Sequence, residues 1–164
     1  MCLPEEFLKL RRVNEQDCEI LWNWVNDPAV RSSSFFSDLI SWEEHVKWFI
    51  NKLDLINCYY FIALNNHDKP IGQIRFDVNS QLQAEVDISI DIQERGKGYA
   101  SHLIKLSVEH LFAHTLVKSI NAFIKSDNQA SIKSFQKAGF RYIGIEKIRE
   151  KYFALHYIAV KNNE

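Results

Sequence analysis

"AEVDISIDIQERGKGYAS", residues 84–101, is the stretch that decides the fold. Its first half alternates. Val86, Ile88, Ile90 and Ile92 share one face, and Glu85, Asp87, Ser89 and Asp91 share the other. A period of two is the signature of a half-buried strand. A charged turn follows, Gln93-Glu94-Arg95-Gly96-Lys97-Gly98, and from Tyr99 to Ala113 the pattern is helical, with Leu103, Leu106, Val108, Leu111 and Phe112 suited to an apolar face. A strand that runs straight into a helix leaves the first helical amides unpaired. Those N–H groups and the helix dipole attract an anion. Gly96 and Gly98 keep side chains clear of the approach and permit unusual backbone angles. Arg95 and Lys97 add positive charge. The expected product is a cradle for a pyrophosphate. The spacing is not that of a P-loop, and the dinucleotide fingerprint would need glycine where Ser101 stands.

Outward from this turn the chain reads as one mixed α/β layer structure. Upstream, residues 7–13 alternate as a short strand, and Asn14 can cap a helix through Leu21, Trp24 and Val25, stopped near Asn26-Asp27-Pro28. The segment 31–38 reads as a polar connection. Ser41 and Glu44 form a capping-box pair that opens a helix carrying His45, Trp48, Phe49 and Leu53. Residues 58–64 and 70–78 are two strands joined by the turn residues 65–69. Downstream, residues 117–124 form a strand, Asp127 or Asn128 caps a helix bearing Ile132 and Phe135, and Ala138-Gly139 stops it. Segments 140–145 and 152–160 are two last strands. Where strand, helix and strand follow one another, a central parallel pair is expected.

Composition narrows the class. The 164 residues suit a single domain spanning 1–164, and 46% hydrophobic with 13% aromatic content builds a core and excludes disorder. A net charge of -1 provides no global field for nucleic acid or an anionic membrane. No window reaches the ~18 apolar residues of a membrane span, and the acidic start of the chain does not resemble a secretory signal. A cytoplasmic protein is expected. Cys2, Cys18 and Cys58 have no paired spacing, and the six histidines offer no ligand set, so no metal is expected. Cys58 reads as a buried strand cysteine rather than an acyl-carrying nucleophile.

Two motifs together resemble a known family. Gln93 to Gly98 is similar to the coenzyme A loop, Q/R-x-x-G-x-G/A, of the GNAT acetyltransferase superfamily. "NQASIKSFQKAGF", Asn128 to Phe140, resembles that superfamily's second block. The resemblance covers residues 7 to about 160. It implies the GNAT fold: a mixed, mostly antiparallel sheet with a splayed parallel pair, flanked by helices on both faces. It implies acetyl-CoA as co-substrate. The coenzyme's pyrophosphate would rest on the segment formed by Gln93, Arg95, Gly96, Lys97, Gly98, Tyr99 and Ala100. Its pantetheine arm would pair with Ile88, Ser89 and Ile90 like an added strand, an amide near Ile90 would polarise the thioester carbonyl, and Asn128 and Phe135 would face the coenzyme from the other side.

Transfer to an amine needs a group that takes its proton. Glu85 is the expected base, directly or through water, with Asp87 second; a solvated strand face is the plain reading of either. The family's usual acid, a tyrosine, is replaced here by Phe135. Ser131, Tyr99, Tyr152 or water then serves, or the thiolate leaves unassisted, since a thiol pKa near ~8.5 makes it a tolerable leaving group.

For the acceptor, "WVNDPAVRSSSFFSDLISWEEHVKWF", Trp24 to Phe49, resembles the subgroup of GNAT enzymes that acetylate nucleotide-linked 4-amino sugars. This implies a small-molecule amine, a nucleotide sugar. Phe35, Phe36 and Trp48 supply aromatic surface, Arg31 and Arg75 supply charge for phosphate, and His45 belongs to the same set. The plain readings are core packing for Trp48 and His45 and a local cap for Arg31. Two alternatives stand beside this one: acetylation of protein or peptide amino termini, and a non-catalytic acyl-CoA-binding module. Monomer and homodimer are both compatible with the sequence.

Overall fold

The alternation at 84–90 becomes the middle strand of a seven-stranded sheet. The computed structural model describes residues 7–163; Cys2 and the rest of the first six residues lie outside them. The elements in order are β1 (Lys9–Arg12), a 3-10 turn (Glu15–Asp17), α1 (Cys18–Val25), α2 (Pro28–Ser33), α3 (Trp42–Asp54), β2 (Cys58–Leu64), β3 (Pro70–Val78), β4 (Gln83–Ile90), a second 3-10 turn (Ile92–Glu94), α4 (Tyr99–His114), β5 (Ser119–Ile124), α5 (Gln129–Lys137), β6 (Arg141–Ile148) and β7 (Tyr152–Val160). The sheet order is β1-β2-β3-β4-β5-β7-β6. Every neighbouring pair is antiparallel except β4 and β5, which are parallel. The expected fold class is the observed one.

The two faces of β2 show why helices cover both sides. Phe61 and Ala63 join a core with Leu103, Ile104 and Leu111 of α4 and Ile132 and Phe135 of α5. Cys58, Tyr60 and Ile62 point the other way, onto Leu21 and Trp24 of α1 and Phe49 of α3. Ile62, Ile71, Ile74, Phe76 and Leu103 are fully buried, each stabilising the fold by roughly 1.5–3 kcal/mol.

Local chemistry sets the element ends. Asn14 and Asp17 form a capping box, and the Asp17 carboxylate also accepts two bonds from Arg11, at 2.7 and 2.8 Å. Ser41 Oγ accepts from the Glu44 amide, Asn128 Oδ1 from the Ser131 amide. At the end of α5 the Phe140 amide donates to Phe135 and the Gly139 amide to Gln136, a Schellman stop.

Two expectations change. The polar segment 31–38 begins inside a short helix, α2, because Asp27 accepts from the Ala29 and Val30 amides and Pro28 occupies the first turn. The strand expected to run to Ile92 ends at Ile90, and Ile92 is 62% exposed. Asp91 captures the Gln93 amide and turns the chain into the 3-10 segment before Ile92 can join the apolar face.

Candidate active site

The site is built on a break in the sheet. β4 and β5 pair only from Gln83–Glu85 to Ser119–Asn121. Past Glu85 and Asn121 both strands continue, to Ile90 and Ile124, without pairing. From Val86 onward β4 therefore has β3 on one side and a gap on the other. A cavity of about 930 Å³ fills this region. It runs from Gly96, Gly98, Tyr99, Ala100 and Ser101 at the start of α4, past Ile88, Ser89 and Ile90, to Glu85, Trp48 and the β6–β7 turn.

At the α4 end, Gly96 and Gly98 have φ of +77° and +83°. The left-handed Gly98 is the N-cap of α4 and has no side chain to satisfy the first amides. The start of α4 lines the cavity, a Cβ at Gly96 or Gly98 would meet nothing within 4 Å, and unpaired amides in such a place attract an anion. Arg95 is half-buried and braces the turn: its Nε donates to the Ile90 carbonyl at 3.0 Å and its guanidinium pairs with Asp27 at 3.0 Å. Trp24 Nε1 donates to Asp91 at 2.9 Å. The loop is thus tied to α1 and to the cap of α2. Glu94 is buried and paired with Lys69 and Lys97. Gln93 and Lys97 do not line the cavity, whereas the other expected coenzyme residues do.

At the far end one face of the sheet carries a polar row. Register places Asp77 opposite Glu85, Arg75 opposite Asp87 and Gln73 opposite Ser89. Arg75 lies over the rings of Trp48 and Tyr60, at 4.9 and 5.5 Å, and pairs with Asp77 at 2.9 Å. Burial works against the Arg75 charge, but Asp87, Tyr60 and Asp77 outweigh it and its pKa is pushed up. Lys52 donates to Asp77 at 2.7 Å. Glu85 is an exposed side chain on the cavity wall, and desolvation by the walls around it raises its carboxyl pKa; Arg149 pulls the other way. Ser131 Oγ accepts from Asn128 Nδ2 at 3.1 Å, so its own proton is available to the cavity. Phe135 is buried against Phe140 and lines the gap from the α5 side.

The expected substrate residues meet in the same cavity but differ in availability. The guanidinium of Arg31 is spent on the Val25 and Phe36 carbonyls and Ser34 Oγ, at 2.6, 2.9 and 3.2 Å, so it shapes the loop bearing Phe35 and Phe36. His45 is buried, its Nε2 is 2.8 Å from the Cys18 carbonyl, and burial lowers its pKa. Phe35 and Phe36 lie 5.7 and 6.3 Å from Tyr152 and form an aromatic wall with the start of β7. Burial pushes the Cys58 thiol up to about 11. Among the described residues, no group of three or more His, Cys, Asp or Glu side chains could hold a metal, and no helix is long and apolar enough to cross a membrane.

Three residues escaped the sequence reading. Tyr60 and Gln73 face the cavity from β2 and β3, a placement visible only through register. Arg149 sits in the β6–β7 turn, and nothing in its local sequence brings it to Glu85.

The fold and the cleft define an acyl-CoA-dependent transferase, and comparison supplies the family. Residues 8–141 match the acetyltransferase (GNAT) domain family. The chain belongs to it and is an N-acetyltransferase of the GNAT type that uses acetyl-CoA as co-substrate. It is 26% identical to the uncharacterized N-acetyltransferase p20 of Bacillus licheniformis, over 91% of this chain and 87% of that protein. It is 23% identical to the acetyltransferase PseH of Campylobacter jejuni, over 78% and 79%. It is 24% identical to the uncharacterized protein MJ1062 of Methanocaldococcus jannaschii over 80% of this chain, but spans 28% of that longer protein. Among solved structures, a spermidine N-acetyltransferase from Vibrio cholerae in complex with CoA and spermine superposes with a TM-score of 0.83 at 20% identity, covering 94% of this chain and 95% of that one. An aminoglycoside acetyltransferase in complex with coenzyme A gives the same values. At these identities the structures report the fold.

Proposed function

We propose that the chain acetylates the amino group of a nucleotide-activated amino sugar by direct attack in a ternary complex. The observation that carries the reading is Glu85, which stands where β4 and β5 part, at the junction of the coenzyme gap and the aromatic wall. In this reading the amides at the start of α4 hold the pyrophosphate of the coenzyme. The open side of β4 from Ile88 to Ile90 aligns the pantetheine arm, and one of its amides stabilises the oxyanion. Glu85, through water, takes a proton from the acceptor ammonium. The free amine attacks the thioester carbonyl, a C–N bond forms, and the C–S bond breaks. The acetylated nitrogen sheds its second proton to water, and Ser131, taking up a proton from that water in turn, is placed to relay one to the departing thiolate, in place of the tyrosine that Phe135 replaces.

The nucleotide end of the acceptor falls to Phe35 and Phe36, backed by Tyr152, for the base and to Arg149 for the phosphates. Arg149 lines the cavity and makes no hydrogen bond or ion pair with the described residues, unlike Arg31, Arg75 and Arg95. The resemblance of Trp24 to Phe49 to the acetyltransferases of nucleotide-linked amino sugars supports this acceptor class. The test is thiol release from acetyl-CoA with UDP-linked 4-amino sugars, spermidine, kanamycin and amino-terminal peptides side by side. Turnover restricted to the sugar nucleotides is expected, with the Michaelis constant raised in Arg149→Ala. Turnover restricted to a polyamine, aminoglycoside or peptide overturns the acceptor assignment. Coenzyme binding without turnover of any of these amines also overturns the acceptor assignment, and points to an acceptor outside the panel or to a binding module.

A further inference from the structure

Gln73 is buried to 5% exposure in the middle of β3, on the face that carries Arg75 and Asp77. Its amide nitrogen donates twice, to Asp87 Oδ2 and to Ser89 Oγ, both at 3.0 Å. Its Oε1 is fully enclosed and has no partner. The reverse orientation of the amide would set Oε1 against the Asp87 carboxylate, an acceptor facing an acceptor, so the assignment is fixed by chemistry. A buried carbonyl oxygen without a donor is costly, and an apolar side chain of the same size at this place would avoid the cost. The fold retains the amide all the same.

The use of that amide lies in what it holds. Asp87 Oδ2 is approached from two sides, by Gln73 Nε2 at 3.0 Å and by Arg75 at 3.8 Å. Asp87 is otherwise an exposed side chain on the cavity wall, one pleat beyond Glu85. With Oδ2 clamped, Oδ1 is left as the oxygen presented to the cavity. The second N–H of the same amide fixes Ser89 on the stretch of β4 that borders the gap.

We infer that Gln73 is a positioning residue, which spends a buried unpaired oxygen to aim Asp87 Oδ1 at the acceptor ammonium and so hold the amine beside Glu85. The inference rests on the reading of the cavity as an amine-acetylating site, but it requires only a primary amine and not a nucleotide sugar.

The experiment compares the full-length wild type, Gln73→Leu, Asp87→Ala and the double variant. Gln73→Leu deletes both the clamp and the unpaired oxygen. Its melting temperature should therefore equal or exceed that of the wild type, while kcat, measured by thiol release with whichever amine of the panel turns over, falls about ten- to a hundredfold. The Michaelis constant for acetyl-CoA should stay within about twofold. In the Asp87→Ala background the same substitution should have no further effect on kcat, because Gln73 acts through Asp87. A Gln73→Leu variant that melts well below the wild type shows a packing or folding role and overturns the inference, whatever its activity. So does unchanged kcat, a loss that is additive with Asp87→Ala, or a loss that appears only in the Michaelis constant for acetyl-CoA. If the amine that turns over is not a sugar nucleotide, the acceptor assignment fails and the Gln73 cycle is still decided.

Discussion

Gly72 on β3 is the point where the coenzyme-bordering strand can be displaced by one methyl group. A Cβ at this position would lie 2.6 Å from the Ser89 carbonyl oxygen and 2.9 Å from Ile90 Cδ1. The Ile90 methyl can rotate away, but the carbonyl is backbone. To restore even a tight contact, β4 must retreat from β3 by about 0.4 Å at Ser89, a displacement comparable with core overpacking that costs typically ~1–3 kcal/mol. For a chain of this size that corresponds to a fall in melting temperature of roughly 2–12 °C. The retreat narrows the gap into which the pantetheine arm must fit, and misplacements near ~1 Å cost up to about a hundredfold in rate. Gly72→Ala is therefore expected to lower the melting temperature and to raise the Michaelis constant for acetyl-CoA more than that for the acceptor. Differential scanning fluorimetry with and without CoA, followed by steady-state kinetics, measures both. A variant with wild-type melting temperature and wild-type affinity for CoA would refute the claim that β3 and β4 are in contact too close for a side chain.

Three further expectations follow from charges and burial. Glu85→Gln should lower kcat by about 10²–10⁴-fold and remove the acidic limb of the pH profile; because burial raises the Glu85 pKa, that limb lies above the ordinary carboxylate range in the wild type. A raised folded-state pKa also means that ionised Glu85 opposes folding, so the variant should be slightly more stable at pH 7 and the difference should vanish in acid. Asp17→Asn should destabilise by roughly 1–3 kcal/mol. Burial alone would raise the Asp17 pKa, but Arg11 and the Asn14 amide hold it low, so urea denaturation should show the deficit above the unfolded carboxylate pKa of ~3.9 and see it shrink as pH falls below that value. Cys58, buried and with its thiol pushed up to about 11, should resist iodoacetamide at pH 8 in the folded protein and be alkylated promptly in urea, as peptide mass spectrometry would show.

The parts legible in the sequence are those set by local chemistry. The alternation of β4, the Asn14 and Ser41 caps, the Asn128 cap and the Gly139 stop need only neighbours within a few residues, and each is where the pattern puts it. The turn at Asp91 was the local failure, because alternation carries no information on when a side chain captures the amide two residues ahead. The site divides the same way. Gly96 and Gly98 are recognisable from their spacing beside a strand end. The polar row of Gln73, Arg75, Asp77, Glu85 and Asp87 is a product of register between β3 and β4, which no single strand encodes. Arg31 and His45 look like ligand residues as residue types, yet their donors are consumed by the carbonyls of Val25, Phe36 and Cys18. Whether a polar group is free for a ligand depends on which distant backbone comes to rest against it.

The parting of β4 and β5 has a consequence for what else can enter. An unpaired strand border is ordinarily an invitation to the strands of other proteins, and sheets protect their outer borders against it. Here the bare border lies at the centre of the sheet, inside a slot with a strand on either side. An incoming polypeptide, with its side chains standing out on both faces, would have to displace the helices packed on both sides of the sheet; an extended arm with few side groups would not. The same opening that makes the sheet incomplete thus sorts visitors by girth, and it does so before any charge or hydrogen bond has been consulted.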